Sequence, residues 1–115
     1  MVDTVGFLES KLAGGNLFML LVKQVEKDFQ MSVDSGILFT AHQPSELVQQ
    51  VEEQLLSIIN THSVSKFSSL LYRVDVSETA IKNLASNDLL VYVQQVAYLI
   101  LQREFKKVYI RNTYG

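Results

Sequence analysis

The sequence predicts an all-α fold: a compact bundle of five to six helices with a long, central C-terminal helix. Three observations carry this. Apolar residues recur at intervals of three and four along most of the chain, not at two. One proline and five glycines among 115 residues leave few forced breaks. Turn and cap residues fall between the periodic stretches, so the connections are short. Residues 1–115 are expected to form a single helical domain, because the length is that of one ordinary domain.

The first segment is Thr4–Leu12, with Val5, Leu8 and Leu12 on one face and Gly14-Gly15 as its stop. Gly6 inside it is unfavourable to a helix. The second is Leu17–Gln30, with Asn16 as N-cap. Phe18, Leu21, Val22, Val25 and Phe29 form its apolar stripe; Lys23, Glu26, Lys27 and Gln30 fall largely on the other side, and Lys23 and Lys27, with Glu26 and Asp28 beside them, read as a solvated face. An irregular connection, Met31–Gln43, contains Asp34-Ser35-Gly36 turn chemistry. Its apolar Ile37-Leu38-Phe39 folds back on the core, either extended or helical.

The third segment is Pro44–Asn60, opened by Pro44 in the first helical position and Glu46 in the first turn. Val48, Val51, Leu55, Ile58 and His62 continue one stripe. The fourth, Val64–Val74, aligns Val64, Phe67, Leu71 and Val74. Asp75-Val76-Ser77-Glu78 then reads as a capping box with Asp75 as N-cap, opening a fifth segment to about Ala85 with Ala80, Ile81 and Leu84 inward. Ser86-Asn87-Asp88 starts the sixth, which runs to about Arg111. Leu89, Val93, Val96, Leu99 and Ile100 face inward, and further apolar residues cover most of its circumference, which places it mid-bundle.

Composition excludes several functions. Without cysteine there is neither a disulfide framework nor a Cys-rich zinc site. A formal net charge of −2 argues against nucleic acid or an anionic membrane as a generic partner. The most apolar stretch, Leu89–Leu101, is interrupted by Gln94 and Gln95 and falls short of the ~20 residues a bilayer requires. Met1-Val2-Asp3-Thr4 lacks a basic region followed by an apolar run, so no targeting segment and a cytoplasmic location are expected.

No catalytic, cofactor or metal site emerges. His42 and His62 lie at opposite ends of one helix, roughly 30 Å apart at 1.5 Å per residue, and cannot share a metal. His42 with Glu46 is an incomplete ligand set. Ser63-Val64-Ser65-Lys66 matches a bare Ser-x-x-Lys string, but the companion Ser-Asp-Asn and Lys-Thr-Gly motifs are missing. Glu52 and Glu53 are adjacent and diverge on a helix. The chain is therefore expected not to be an enzyme and to need no cofactor.

Two surfaces remain as candidates. Arg103, Lys106, Lys107 and Arg111 share one side of the last segment, with Phe105, Tyr109 and Tyr114 interleaved. They could form a patch for an anion or an acidic partner, or simply stabilise a helix C-terminus. The stretch Leu70–Leu84, through Val76-Ser77 and Ile81, resembles a helix-turn-helix unit. That resemblance covers segment 64–85 and implies Ser77, Glu78, Thr79, Lys82 and Asn83 as positions reading DNA. Asp75 departs from it, standing where glycine is usual, and Lys82 is its one base.

A broader resemblance covers the C-terminal half. Phe67–Glu78 (FSSLLYRVDVSE) and Leu99–Val108 (LILQREFKKV) make the chain similar to a group of small uncharacterised bacterial all-α proteins. It implies a helical fold and no particular activity. The expected function is a non-enzymatic helical interaction protein that binds a protein partner or itself. The alternative is a divergent helix-turn-helix DNA-binding regulator.

Overall fold

The structure, a computed structural model, describes residues 3–12, 16–84 and 86–114. Gly14-Gly15 and Ala85 lie outside the described residues, as does the side chain of Tyr114. Among those described are six helices: α1 (Thr4–Lys11), α2 (Leu17–Ser32), α3 (Pro44–Asn60), α4 (Val64–Val74), α5 (Glu78–Lys82) and α6 (Leu89–Tyr114). The all-α bundle and its long C-terminal helix are as the periodicity predicts. Helix α6 packs against α1, α2, α3 and α4, most extensively against α2.

Local chemistry explains each boundary. The Asp3 carboxylate caps α1 by accepting from the Gly6 amide at 2.8 Å. Gly6 is tolerated because a Cβ there would strike that carboxylate. Asn16 occupies the N-cap position of α2, but its side chain makes no capping bond. Helix α3 ends with His62 in the left-handed region, φ 55°. The His62 and Ser63 amides donate back to the Ile59 and Ile58 carbonyls, closing a Schellman-type end. His62 is therefore exposed beyond the helix and does not continue its inward stripe.

The α4–α5 corner also corrects the sequence reading. Asp75 sits at φ 74°, ψ 49°, and its amide and that of Val76 both donate to the Leu71 carbonyl at 2.9 Å. Asp75 thus ends α4 and does not cap α5. Aspartate is among the few non-glycine residues that enter this region readily. Ser77 is the cap, its hydroxyl accepting from the Ala80 amide at 3.1 Å. The buried residues of α4 are Leu70, Leu71 and Val74, while Val64 is exposed and Phe67 half-buried. Asp88 starts α6 as expected, with Oδ1 accepting from the Leu90 and Val91 amides.

The connection between α2 and α3 forms neither helix nor strand over Ile37–Ala41, so Ile37-Leu38-Phe39 is not helical. Ile37, Phe39 and Ala41 are buried, whereas Leu38 and Thr40 are exposed. Helix side chains satisfy its backbone in place of a ladder. Gln30 donates to the Ile37 carbonyl, and Glu26 accepts from the Phe39 amide. Gln50 accepts from the Thr40 amide, and Glu46 from that of His42. Phe39 packs edge-on against Phe29, centroids 5.1 Å apart.

These elements close on one core running from Leu8 to Val108. The radius of gyration is 13.4 Å, which matches the ~13 Å of a compact chain of this length.

Candidate functional site

Buried positions on α6 fall at Val93, Val96, Ala97, Ile100, Leu101, Glu104, Phe105 and Val108. This is a helical core stripe with an acid inside it. Glu104 is 0% exposed, and Asp28 on α2 only 2%. The reading of Asp28 as part of a solvated face is thus corrected. Position 28 lies three beyond Val25, on the flank of the buried stripe, and α6 closes over it. Phe105 is likewise core and not surface, stacked on Tyr109 and edge-on to Phe7.

Asp28 organises the surroundings. Its Oδ1 accepts from Arg73 Nε at 3.0 Å, and its Oδ2 from Lys107 Nζ at 2.9 Å and Gln24 Nε2 at 3.0 Å. Lys107 Nζ also lies 2.9 Å from Glu104 Oε1, and both Glu104 oxygens are shut off from water. Burial, then the hydrogen bond with Asp28, pushes the Glu104 carboxyl up to about 9, against the opposing pull of Lys107. Burial works to raise Asp28 too, but hydrogen bonds from Glu104, Gln24 and Lys107 outweigh it and hold its carboxyl below the ordinary value. Lys107 is raised because its two carboxyl partners outweigh its own desolvation. At neutral pH the cluster therefore holds a protonated Glu104, one carboxylate and two cations.

This arrangement accounts for much of the predicted basic patch. Lys107 points into the cluster, Arg103 pairs with Asp75 at 2.7 Å, and Arg111 donates to Gln24 Oε1 at 2.9 Å. Lys106 is exposed beside Arg103 and Asp75. The four cations share a side of α6, but three of them have internal partners.

A second feature is the groove between α4 and α5, about 700 Å³ in volume. Phe67, Leu71, Val76 and Ile81 form its apolar part, with Tyr72, Asp75, Ser77, Glu78 and Lys82 around them. Tyr72 is 88% exposed. Phe67 also lines a neighbouring hollow of about 320 Å³ with Ile59, Val64, Leu89 and Tyr92. The two depressions thus meet at Phe67. Leu89, expected inward, lies 42% exposed at this end because α6 begins beyond the core.

The structure places the candidate DNA-reading residues at the same corner. Ser77 and Lys82 line the groove, whereas Thr79 and Asn83 are exposed on and just after α5. Helix α5 has five residues and carries one cation, Lys82. Among the described residues no three His, Cys, Asp or Glu side chains converge to hold a metal. No described helix is long and apolar enough to cross a membrane.

The sequence reading missed Asp28, Glu104 and Gln24. One signal for Glu104 was available: it continues the Val93, Val96, Ala97, Ile100, Leu101 register. No protein-family model, curated protein or solved structure matches the chain.

Proposed function

We propose that this chain is a non-enzymatic interaction protein that docks a segment of a protein partner in the α4–α5 groove. The observation supporting this is the apolar groove floor flanked by Tyr72, which is 88% exposed. An aromatic ring left in water beside a shaped apolar depression is the usual form of an interface anchor. The surface continues past Phe67 toward Val64 and Leu89, so its length suits an amphipathic helix laid along it.

A DNA-reading role has weaker support. A recognition helix presents several side chains to the groove and is flanked by phosphate-binding cations, whereas α5 is five residues long with Lys82 alone.

The test is affinity capture on wild-type protein and on Tyr72→Ala and Ile81→Glu, with and without nuclease, alongside sedimentation over a concentration range. A stoichiometric partner that survives nuclease and is lost with both variants supports the reading. Self-association lost with the same variants identifies the partner as a second copy. A monomer that captures nothing, or that captures only nuclease-sensitive material, overturns it.

A further inference from the structure

A separate hollow of about 350 Å³ lies between α2 and the end of α6, lined by Leu20, Lys23, Gln24, Lys27, Val108, Arg111 and Asn112. It shares no residue with the α4–α5 groove. On α2 the lining positions recur at i, i+3, i+4 and i+7, and on α6 at i, i+3 and i+4, so two facing helix surfaces build it.

Its charge is one-sided. Three cations line it, and no carboxylate does. Lys23 and Lys27 stand four apart on one helix, a like-charge pairing that destabilises a helix by a few tenths of a kcal/mol. The two acids flanking Lys27 are engaged elsewhere: Glu26 accepts from the Phe39 amide at 2.9 Å, and Asp28 holds Arg73 and Lys107. Arg111 is aimed at the same place, adding a third positive charge to the pair. Local arrangements that oppose stability without compensation are concentrated where ligands bind.

Arg111 is also held in advance. Its guanidinium donates to Gln24 Oε1 at 2.9 Å, and Gln24, 8% exposed, is fixed in turn by Asp28 at 3.0 Å. A guanidinium already ordered loses less entropy on binding an anion. Planar guanidinium with two ammonium groups suits a phosphoryl group. Leu20 and Val108 add apolar surface beside the charge.

We propose that this hollow binds a small phosphomonoester whose phosphate lies among Lys23, Lys27 and Arg111 and whose organic part lies against Leu20 and Val108. The probes are phenyl phosphate and inorganic phosphate, titrated into the isotope-labelled full chain at constant ionic strength and followed by amide shifts. Vesicles containing phosphatidic acid form a separate arm.

The expected result is saturable shifts confined to residues 20–27 and 108–112, with phenyl phosphate binding more tightly than inorganic phosphate. Lys27→Gln and Arg111→Gln should each weaken phenyl phosphate at least about tenfold, the loss of roughly one charge-assisted hydrogen bond. Lys82→Gln, on the other groove, should bind as wild type. Lys27 is exposed, so its variant tests the site even if Arg111→Gln perturbs packing. Non-saturating shifts, wild-type affinity in Lys27→Gln, or binding to the vesicles without binding to phenyl phosphate would overturn the proposal.

Discussion

Glu104 on α6 and Asp28 on α2, 0% and 2% exposed, share one cation: Lys107 Nζ lies 2.9 Å from Glu104 Oε1 and 2.9 Å from Asp28 Oδ2. Two fully ionised carboxylates at this depth would repel in a weakly screened interior, and of the two cations present Arg73 pairs with Asp28 while Lys107 is shared; burial and Asp28 together push the Glu104 carboxyl up to about 9, so it keeps its proton at neutral pH. The helix pair with the most extensive contact in the fold is thus closed around a neutral acid.

Stability should therefore depend on pH with a known sign. Between its ordinary value of 4.5 and its folded value of about 9, Glu104 keeps a proton in the folded state that the unfolded chain releases. Its contribution is complete below 4.5 and declines as pH rises toward 9. Asp28 acts in the opposite sense: its contribution is present above 3.8 and is lost as pH falls through its lowered folded value. Lys107 contributes below 10.5 and loses that contribution as pH rises through its raised value. Urea midpoints should fall from about pH 5 to about pH 8.5, and Glu104→Gln should flatten that fall. A wild-type midpoint unchanged across this range would refute the assignment of the proton.

Asp28→Asn should be the more damaging change. It leaves Arg73 and Lys107 without their shared carboxylate at a site only 2% exposed. Breaking a buried ion pair costs about 3–5 kcal/mol, and the low end is expected because both cations reach water. Urea denaturation with the slope held common measures it.

The Asp75 backbone makes a third prediction. Asp75→Val forces a β-branched side chain into the left-handed region at φ 74° and should cost about 1–2 kcal/mol. Asp75→Gly should match wild type or exceed it, since relief of the backbone offsets the exposed Arg103 pair, worth about 0–1 kcal/mol. Thermal unfolding of the two variants gives the comparison.

The connection between α2 and α3 can be tested at single amides. Glu26→Ala removes the acceptor of the Phe39 amide. Hydrogen exchange at Phe39 should accelerate while that at Val25 and Phe29, inside α2, changes little. A net loss of about 1 kcal/mol is expected.

Tyr72→Ala should leave the unfolding midpoint near wild type, because surface substitutions of this kind stay within about 0.5 kcal/mol. Ile81 packs partly against the core, so the fold of Ile81→Glu is checked by circular dichroism before any binding loss is attributed to the groove.

What the sequence determined by itself was local. Spacing at three and four placed α2, α3 and α6, whose cores contain Leu21, Val25, Val51, Leu55, Val96 and Ile100 as the stripes require. Pro44 and Asp88 marked two helix starts because capping chemistry acts within a turn. Only the tertiary structure decided the rest. A carboxylate looks solvated in any one-helix reading, and Asp28 and Glu104 became buried because α2, α4 and α6 close on each other across sequence separations of 45 and 79 residues. The same closure gave Arg103, Lys107 and Arg111 the partners Asp75, Asp28 and Gln24. Periodicity records which face of a helix turns inward, whereas the partner that a charge finds there depends on which other helix arrives.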